Sequence, residues 1–261
     1  MTLPLDGRHA LVCGASEGIG RAAAMALAEL GASVTLLARR QEQLDQALAA
    51  LPRPAGQSHG SVSADVSDSD ALRAKIDALV ADRPVDILVN NSAGPPGGPA
   101  HAAEAEQYLA VFRQHLIANQ ILVQATLPGM KSGNWGRIVN IISTSVKEPI
   151  ANLGVSNTIR GAVATWAKTL AGELGPFGIT VNNVLPGYTR TKRLEQIIAE
   201  RAAASGTPEA EIARAMLATV PAGRFAEPED LAAAVAFLCS PQAGYINGIN
   251  LPVDGGRTRS L

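Results

Sequence analysis

The stretch Gly14-Ala15-Ser16-Glu17-Gly18-Ile19-Gly20 is poor in side chains and stands between an apolar run, His9–Gly14, and a helix-forming run, Arg21–Leu30. Such a turn lets a pyrophosphate approach bare backbone and meet the free N–H groups of a helix N-terminus. The spacing is Gly-x3-Gly-x-Gly, and alone it also fits a tight strand-to-helix turn with no ligand. The strand before it and the helix after it favour the phosphate. Further on, where an NAD site carries an acid for the ribose 2′-hydroxyl, the chain has Ala38-Arg39-Arg40. Arg39, with Arg40 beside it, suits a 2′-phosphate through guanidinium forks, so NADP(H) is expected ahead of NAD(H). Glu17 argues the other way, and Arg39 also fits a solvated charge capping the next helix. Asp65-Val66 offers a carboxylate that accepts from an adenine amine or caps the helix that follows.

These groups need a scaffold, and the chain supplies one by alternation. Apolar β-type runs at Ser33–Leu37, Gly60–Ala64, Asp86–Asn90, Gly136–Ile142, Ile179–Leu185 and Gly248–Val253 are separated by helical runs. The helical runs are Glu42–Ala50, Ser69–Ala81, Ala103–Met130, Gly154–Leu174, Thr191–Ala218 and Glu227–Cys239. This rhythm predicts an α/β fold with a doubly wound parallel sheet of Rossmann type, in which ligands lie outside the carboxyl ends of the strands. With 261 residues and no linker-like tract, one domain spanning 1–261 is expected.

Composition removes other classes. The net charge is −1 and aromatic residues make up 3 %, so no basic face or stacking platform argues for nucleic acid. Cys13 and Cys239 lack metal-ligand spacing and fit buried positions in a reducing compartment, so neither a metal site nor a disulfide is expected. No uncharged apolar stretch reaches the roughly 18 residues of a membrane span, which predicts a soluble, cytoplasmic protein.

Taken together, Gly14-x3-Gly18-x-Gly20, Asp65-Val66, Asn90-Asn91-Ser92-Ala93-Gly94 and Pro186-Gly187-x3-Thr191 resemble the short-chain dehydrogenase/reductase family, nearest its 3-oxoacyl-carrier-protein reductase-like branch. Ala167–Leu174, Ile179–Asn182, Asn247–Asn250 and Val253–Gly256 extend the resemblance over nearly the whole chain. It implies NADP(H)- or NAD(H)-dependent interconversion of a carbonyl and a secondary alcohol on a hydrophobic or acyl-type substrate. It also implies a homotetramer, a substrate lid at about 188–222, and cofactor contacts from Gly14, Ser16, Glu17, Gly18, Ile19, Gly20, Arg39, Arg40, Asp65, Val66, Asn90, Arg160, Pro186, Gly187 and Thr191.

The family's catalytic motif is an Asn, a Ser, a Tyr thirteen residues after the Ser, and a Lys four residues after the Tyr. Ser143, at the end of a strand, matches the carbonyl-orienting serine. Ser156 and Arg160 stand where the Tyr and Lys belong, and the helix asparagine falls on His115, with Asn119 one turn away. A phenol titrates near about 10 and drops beside a cation, whereas a serine hydroxyl is far less acidic and needs a base. Arg160 retains the positive charge for the nicotinamide ribose hydroxyls but cannot relay protons.

Three side chains could restore proton transfer: His115, whose unperturbed pKa is about 6.5, Tyr188 beside Pro186-Gly187, and Lys147. Each has a plainer reading, as a hydrogen-bonded helix histidine, a pocket wall and an exposed Lys-Glu pair. An ordered water chain is the remaining route. The alanine-rich Thr191–Ala218 segment is either a mobile apolar lid or a hairpin packed on a neighbouring subunit, and Pro95-Pro96-Gly97-Gly98-Pro99 suggests a stiff rim for the cleft. Two functions follow: an active reductase, or an NADP(H)-binding pseudo-enzyme acting as a sensor or partner subunit.

Overall fold

A computed structural model describes residues 3–260. Seven parallel strands form one sheet in the order β3-β2-β1-β4-β5-β6-β7. They are β1 (His9–Cys13), β2 (Ser33–Ala38), β3 (Gly60–Ser63), β4 (Ile87–Asn90), β5 (Gly136–Ile141), β6 (Ile179–Pro186) and β7 (Asn250–Val253). The order reverses between β1 and β4, so the loops after these strands diverge and open a crevice at the sheet's carboxyl edge.

Helices cover both faces. On one lie α1 (Gly18–Glu29), α2 (Gln41–Ala49) and α9 (Pro228–Cys239), and on the other α3 (Ser69–Asp82), α5 (Ala118–Ser132) and α6 (Gly154–Leu174). Strand β1 shows why this arrangement holds. Ala10 and Val12 join the core under α1 and α9, while Leu11 and Cys13 join the core under α3 and α5, so its run is apolar without alternation. Each fully buried Leu, Ile or Val contributes roughly 1.5–3 kcal/mol relative to exposure. Cys13 and Cys239 are both buried free thiols, and burial pushes each up to about 12.

Several expected boundaries move. The run Ala103–Met130 resolves into α4 (Ala105–Phe112), a π-turn (Arg113–Ile117) and α5, the extra residue of the π-turn shifting the register of everything after it. Thr191–Ala218 divides into α7 (Lys192–Ser205) and α8 (Glu209–Leu217), because Gly206 ends α7 in the left-handed conformation and Pro208 stands at the N-cap of α8. Helix α1 begins at Gly18, three residues before the expected start.

One polar element runs through the sheet. Asn90, Asn140, Asn183 and Asn250 occupy matching register positions on β4, β5, β6 and β7. Asn90 Nδ2 donates to Asn140 Oδ1 at 2.8 Å, Asn140 Nδ2 to Asn183 Oδ1 at 2.9 Å, and Asn183 Nδ2 to Asn250 Oδ1 at 2.8 Å. The ladder pairs amide groups whose burial would otherwise cost about 1–3 kcal/mol per unpaired group, leaving Asn90 Oδ1 at its end without a partner among the described residues. Among the described residues no helix is long and apolar enough to cross a membrane.

Candidate active site

A cavity of about 690 Å³ occupies the crevice at the carboxyl edge of the sheet. At the end of the cavity formed by the glycine turn, Gly14 leaves β1 with φ +59°, a conformation open to glycine, and α1 starts four residues later. Asn91 Nδ2 pins the turn by donating to Cys13 O at 3.3 Å and Gly14 O at 3.4 Å. A β-carbon on Gly14 would lie 2.6 Å from Asn91 Nδ2, and one on Gly20 would lie 2.3 Å from Gly14 O. No side chain caps the N-terminus of α1. The cradle therefore fits the pyrophosphate of a dinucleotide, which would meet bare backbone and the open end of the helix.

Beyond the second and third strands, Arg39, Arg40, Asp65 and Val66 all line the cavity. Arg39 does not cap α2, whose N-cap residue is Arg40, and forms no ion pair among the described residues. Arg40 lies 3.4 Å from Glu17, which also pairs with Lys192 at 2.7 Å. These partners hold the Glu17 carboxyl below its ordinary value, the Lys192 hydrogen bond most of all. Asp65 is not the cap of α3 either: Asp68 is, accepting from Ala71 N. Asp65 Oδ1 instead accepts from Ser67 N and Ser67 Oγ, which hold its carboxyl below the usual range.

At the other end of the expected site, Ser143, Ser156 and Arg160 line the same cavity. Ser143 follows β5 and its Oγ accepts from Ser145 N at 3.1 Å, leaving the hydroxyl proton to donate. Ser156 and Arg160 are one turn apart on α6, which puts both on one face. Arg160 is 7 % exposed and its Nη1 donates to Ile141 O at 3.2 Å. Burial, followed by the charge of Arg193, pushes its pKa down to about 10, so it stays cationic at neutral pH.

His115 is displaced from the role its spacing implied. It lies in the π-turn, 4 % exposed, and does not line the cavity. Burial, with Arg160 nearby, pushes its pKa down to about 3, so the imidazolium that a general acid requires is scarcely populated. Its Nδ1 is 2.7 Å from Ser92 Oγ, and Nε2 has no hydrogen-bond partner among the described residues. Ser92, which does line the cavity, is its link to the cleft.

Asn90 does not line the cavity. It is 2 % exposed and held in the asparagine ladder, so the neighbouring Asn91 faces the cavity in its place. Gly20 serves the cradle from behind, against Gly14 O, without lining the space. Of the remaining candidates, Ser16, Glu17, Gly18, Ile19, Pro186, Gly187 and Thr191 are cavity-lining. Tyr188 forms a wall, with its ring edge-on to Phe225 at 6.1 Å and Arg257 over it at 4.5 Å. Lys147 does not line the cavity, and Glu148 accepts from the N–H groups of Arg259 and Ser260 at the chain's end.

The proline-rich run contributes through its flanks. Gly94 and Leu153 line the cavity, while Gly98 bridges in parallel to Leu153. Helix α7 overlies the opening through Lys192, Arg193, Leu194 and Ile197, and Leu194 packs with Met216 of α8 and Phe225. Sequence reasoning passed over Asn91, Ser92, Gln114 and Arg193. The first two belong to the Asn90–Gly94 motif, and Arg193 lies two residues past Thr191.

The enoyl-(acyl carrier protein) reductase family profile matches residues 14–258. The chain belongs to the short-chain dehydrogenase/reductase family. Within this family it is 34 % identical over 276 residues to cyclohexanol dehydrogenase of Rhodococcus sp. strain TK6, covering 99 % of this chain and 98 % of the relative. It is also 34 % identical over 255 residues to a 3-oxoacyl-acyl-carrier-protein reductase of Vibrio cholerae, covering 97 % and 98 %. The solved structure of L-sorbose reductase from Gluconobacter frateurii, complexed with NADPH and L-sorbose, superposes with a TM-score of 0.92 at 29 % identity, covering 100 % of both chains. The fold is thus matched over the length of the chain, and this chain carries serine and arginine at positions 156 and 160.

Proposed function

We propose that the protein is an NADP(H)-dependent oxidoreductase that interconverts a carbonyl and a secondary alcohol on a substrate with an apolar or acyl-type body. The observation that carries this reading is that one cavity joins the glycine cradle to Ser143, Ser156 and Arg160. Arg39 and Arg40 would take the 2′-phosphate, the Gly14–Gly20 backbone the pyrophosphate, and Arg160 the nicotinamide ribose hydroxyls. When bound, the nicotinamide supplies the hydride.

The chain's own residues supply the polar work. The Ser143 hydroxyl donates to the substrate carbonyl and orients it. The fixed charge of Arg160 stabilises the negative charge that develops on that oxygen, a role for which a permanently protonated guanidinium is better suited than for proton transfer. With His115 neutral and buried, the proton comes from water passed along the Ser156 hydroxyl. Ile142, Leu153, Leu194 and Ile197 give the cavity apolar walls, and α7 and α8 act as the lid. The protein works in a reducing, cytoplasmic compartment as a homo-oligomer, in keeping with two buried free thiols and with exposed Leu109, Phe237 and Tyr245 available to a subunit contact.

The test is NADPH and NADH titration by fluorescence, followed by loss of NADPH absorbance with 3-oxoacyl thioesters, quinones and small ketones. NADPH is expected to bind more tightly than NADH and to be consumed with at least one carbonyl class. Arg39→Ser is expected to weaken NADPH by about tenfold or more while changing NADH little, since a charge-assisted fork is lost only for the phosphorylated cofactor. NADH preferred by the wild-type protein would contradict the cofactor assignment. Tight NADPH binding with no turnover on any carbonyl would favour the sensor or partner-subunit role.

A further inference from the structure

Two guanidinium groups converge on Gly94. A β-carbon built there would lie 3.6 Å from Arg160 Nη2 and 3.9 Å from Arg193 Nε. The two arginines come from different elements, α6 and α7, and both line the cavity. Their hydrogen-bond acceptors are main-chain carbonyls: Ile141 O for Arg160 Nη1 at 3.2 Å, and Pro95 O for Arg193 Nη2 at 2.7 Å.

Among the described residues neither arginine forms an ion pair. The acidic residues that line the cavity are Glu17 and Asp65, and both are committed elsewhere: Glu17 to Lys192 and Arg40, and Asp65 to Ser67. Carbonyl dipoles orient a guanidinium but leave its charge in place. Two like charges in a partly dehydrated cleft therefore repel, with several N–H donors unspent, and an anion placed against them relieves both costs.

The cofactor's own anions already have sites on the reading given above, at the glycine cradle and at Arg39. The cavity that the arginine pair lines is also lined by Leu153, Leu194 and Ile197 and by the serines Ser143 and Ser156. We propose that Arg193, together with Arg160, binds a carboxylate carried by the substrate, so that the substrate is an oxo acid or hydroxy acid with an apolar body. This deepens the proposed function and rests on the cleft being its substrate site. A phosphate group of the cofactor is the other anion of matching chemistry, and binding measurements separate the two.

The probes are 4-methyl-2-oxopentanoate and its uncharged methyl ester, titrated calorimetrically into the protein alone and into the protein saturated with NADP+. The acid is expected to bind at least about tenfold more tightly than the ester, the scale of a charge-assisted contact. Arg193→Met is expected to erase that difference, and Arg193→Lys to retain part of it. NADP+ affinity in both variants is expected to stay within about twofold of wild type, which also reports that the cleft is folded.

Equal binding of acid and ester, or binding of neither, overturns the proposal. So does a loss of NADP+ affinity in Arg193→Met with the acid-ester difference intact, which would assign the pair to a cofactor phosphate. Failure of the wild-type protein to bind NADP+ would instead overturn the proposed function, and the acid-ester comparison on cofactor-free protein would still read the arginine pair.

Discussion

Gly20→Ala is expected to lower NADPH affinity by roughly a hundredfold, equivalent to about 2.7 kcal/mol. The reason is steric and local. The added carbon would lie 2.3 Å from Gly14 O and 2.7 Å from Gly14 C, so the turn and α1 must separate. Neither contact is the far end of a flexible side chain that could swing away. Separation moves the open N–H groups of α1 off the position where a pyrophosphate meets them, and it pulls Gly14 O away from Asn91 Nδ2. Because α1 also packs in the core through Ala23, Leu27 and Ala28, circular dichroism and a urea midpoint are read alongside, and the fluorescence titration is expected to shift in the folded variant. An unchanged NADPH affinity would mean that the Gly14–Gly20 turn is not the cofactor's cradle.

Acid is expected to destabilise the fold through His115. Burial, and secondarily Arg160, lowers its folded pKa from 6.5 to about 3. Between those values the unfolded chain takes up a proton that the folded chain refuses. Stability from this group is therefore full above about pH 6.5 and lost progressively as pH falls toward 3, on the order of 4 kcal/mol across the window. His9 works in the same direction, its pKa lowered chiefly by burial. Comparing wild type with His115→Asn isolates the one residue. From urea midpoints at pH 7 and pH 5, wild type is expected to lose about 2 kcal/mol more than the variant over that interval. Parallel losses would show that His115 takes a proton as readily folded as unfolded, and would reopen its candidacy as a general acid.

Most of the scaffold was legible in the sequence because the signals are local. Apolar runs bounded by turn residues marked the seven strands, and the glycine spacing marked the turn between β1 and α1. What the sequence hid depends on direction and neighbours. Asn90 and Asn91 read alike in a motif, yet the pleat sends Asn90 into a ladder across four strands and leaves Asn91 to the cavity. The helical pattern through residues 103–130 contains no breaker before Pro128, so nothing announced the π-turn that carries His115 inward. Asp65 and Asp68 both suit a helix cap, and only the path of the chain decides between them. The convergence of Arg160 and Arg193 on Gly94 joins three segments far apart in sequence, which no single stretch could reveal.

The central claim is that this cleft transfers hydride to a carbonyl although Ser156 and Arg160 stand in its active site. Single turnover with NADPH deuterated at its transferable position, followed by mass analysis of the product, tests it most directly. One deuterium is expected in the product alcohol, and Ser143→Ala is expected to slow its appearance by about a hundredfold or more. Bound NADPH with no deuterium in any product, or transfer at the wild-type rate in Ser143→Ala, would contradict it.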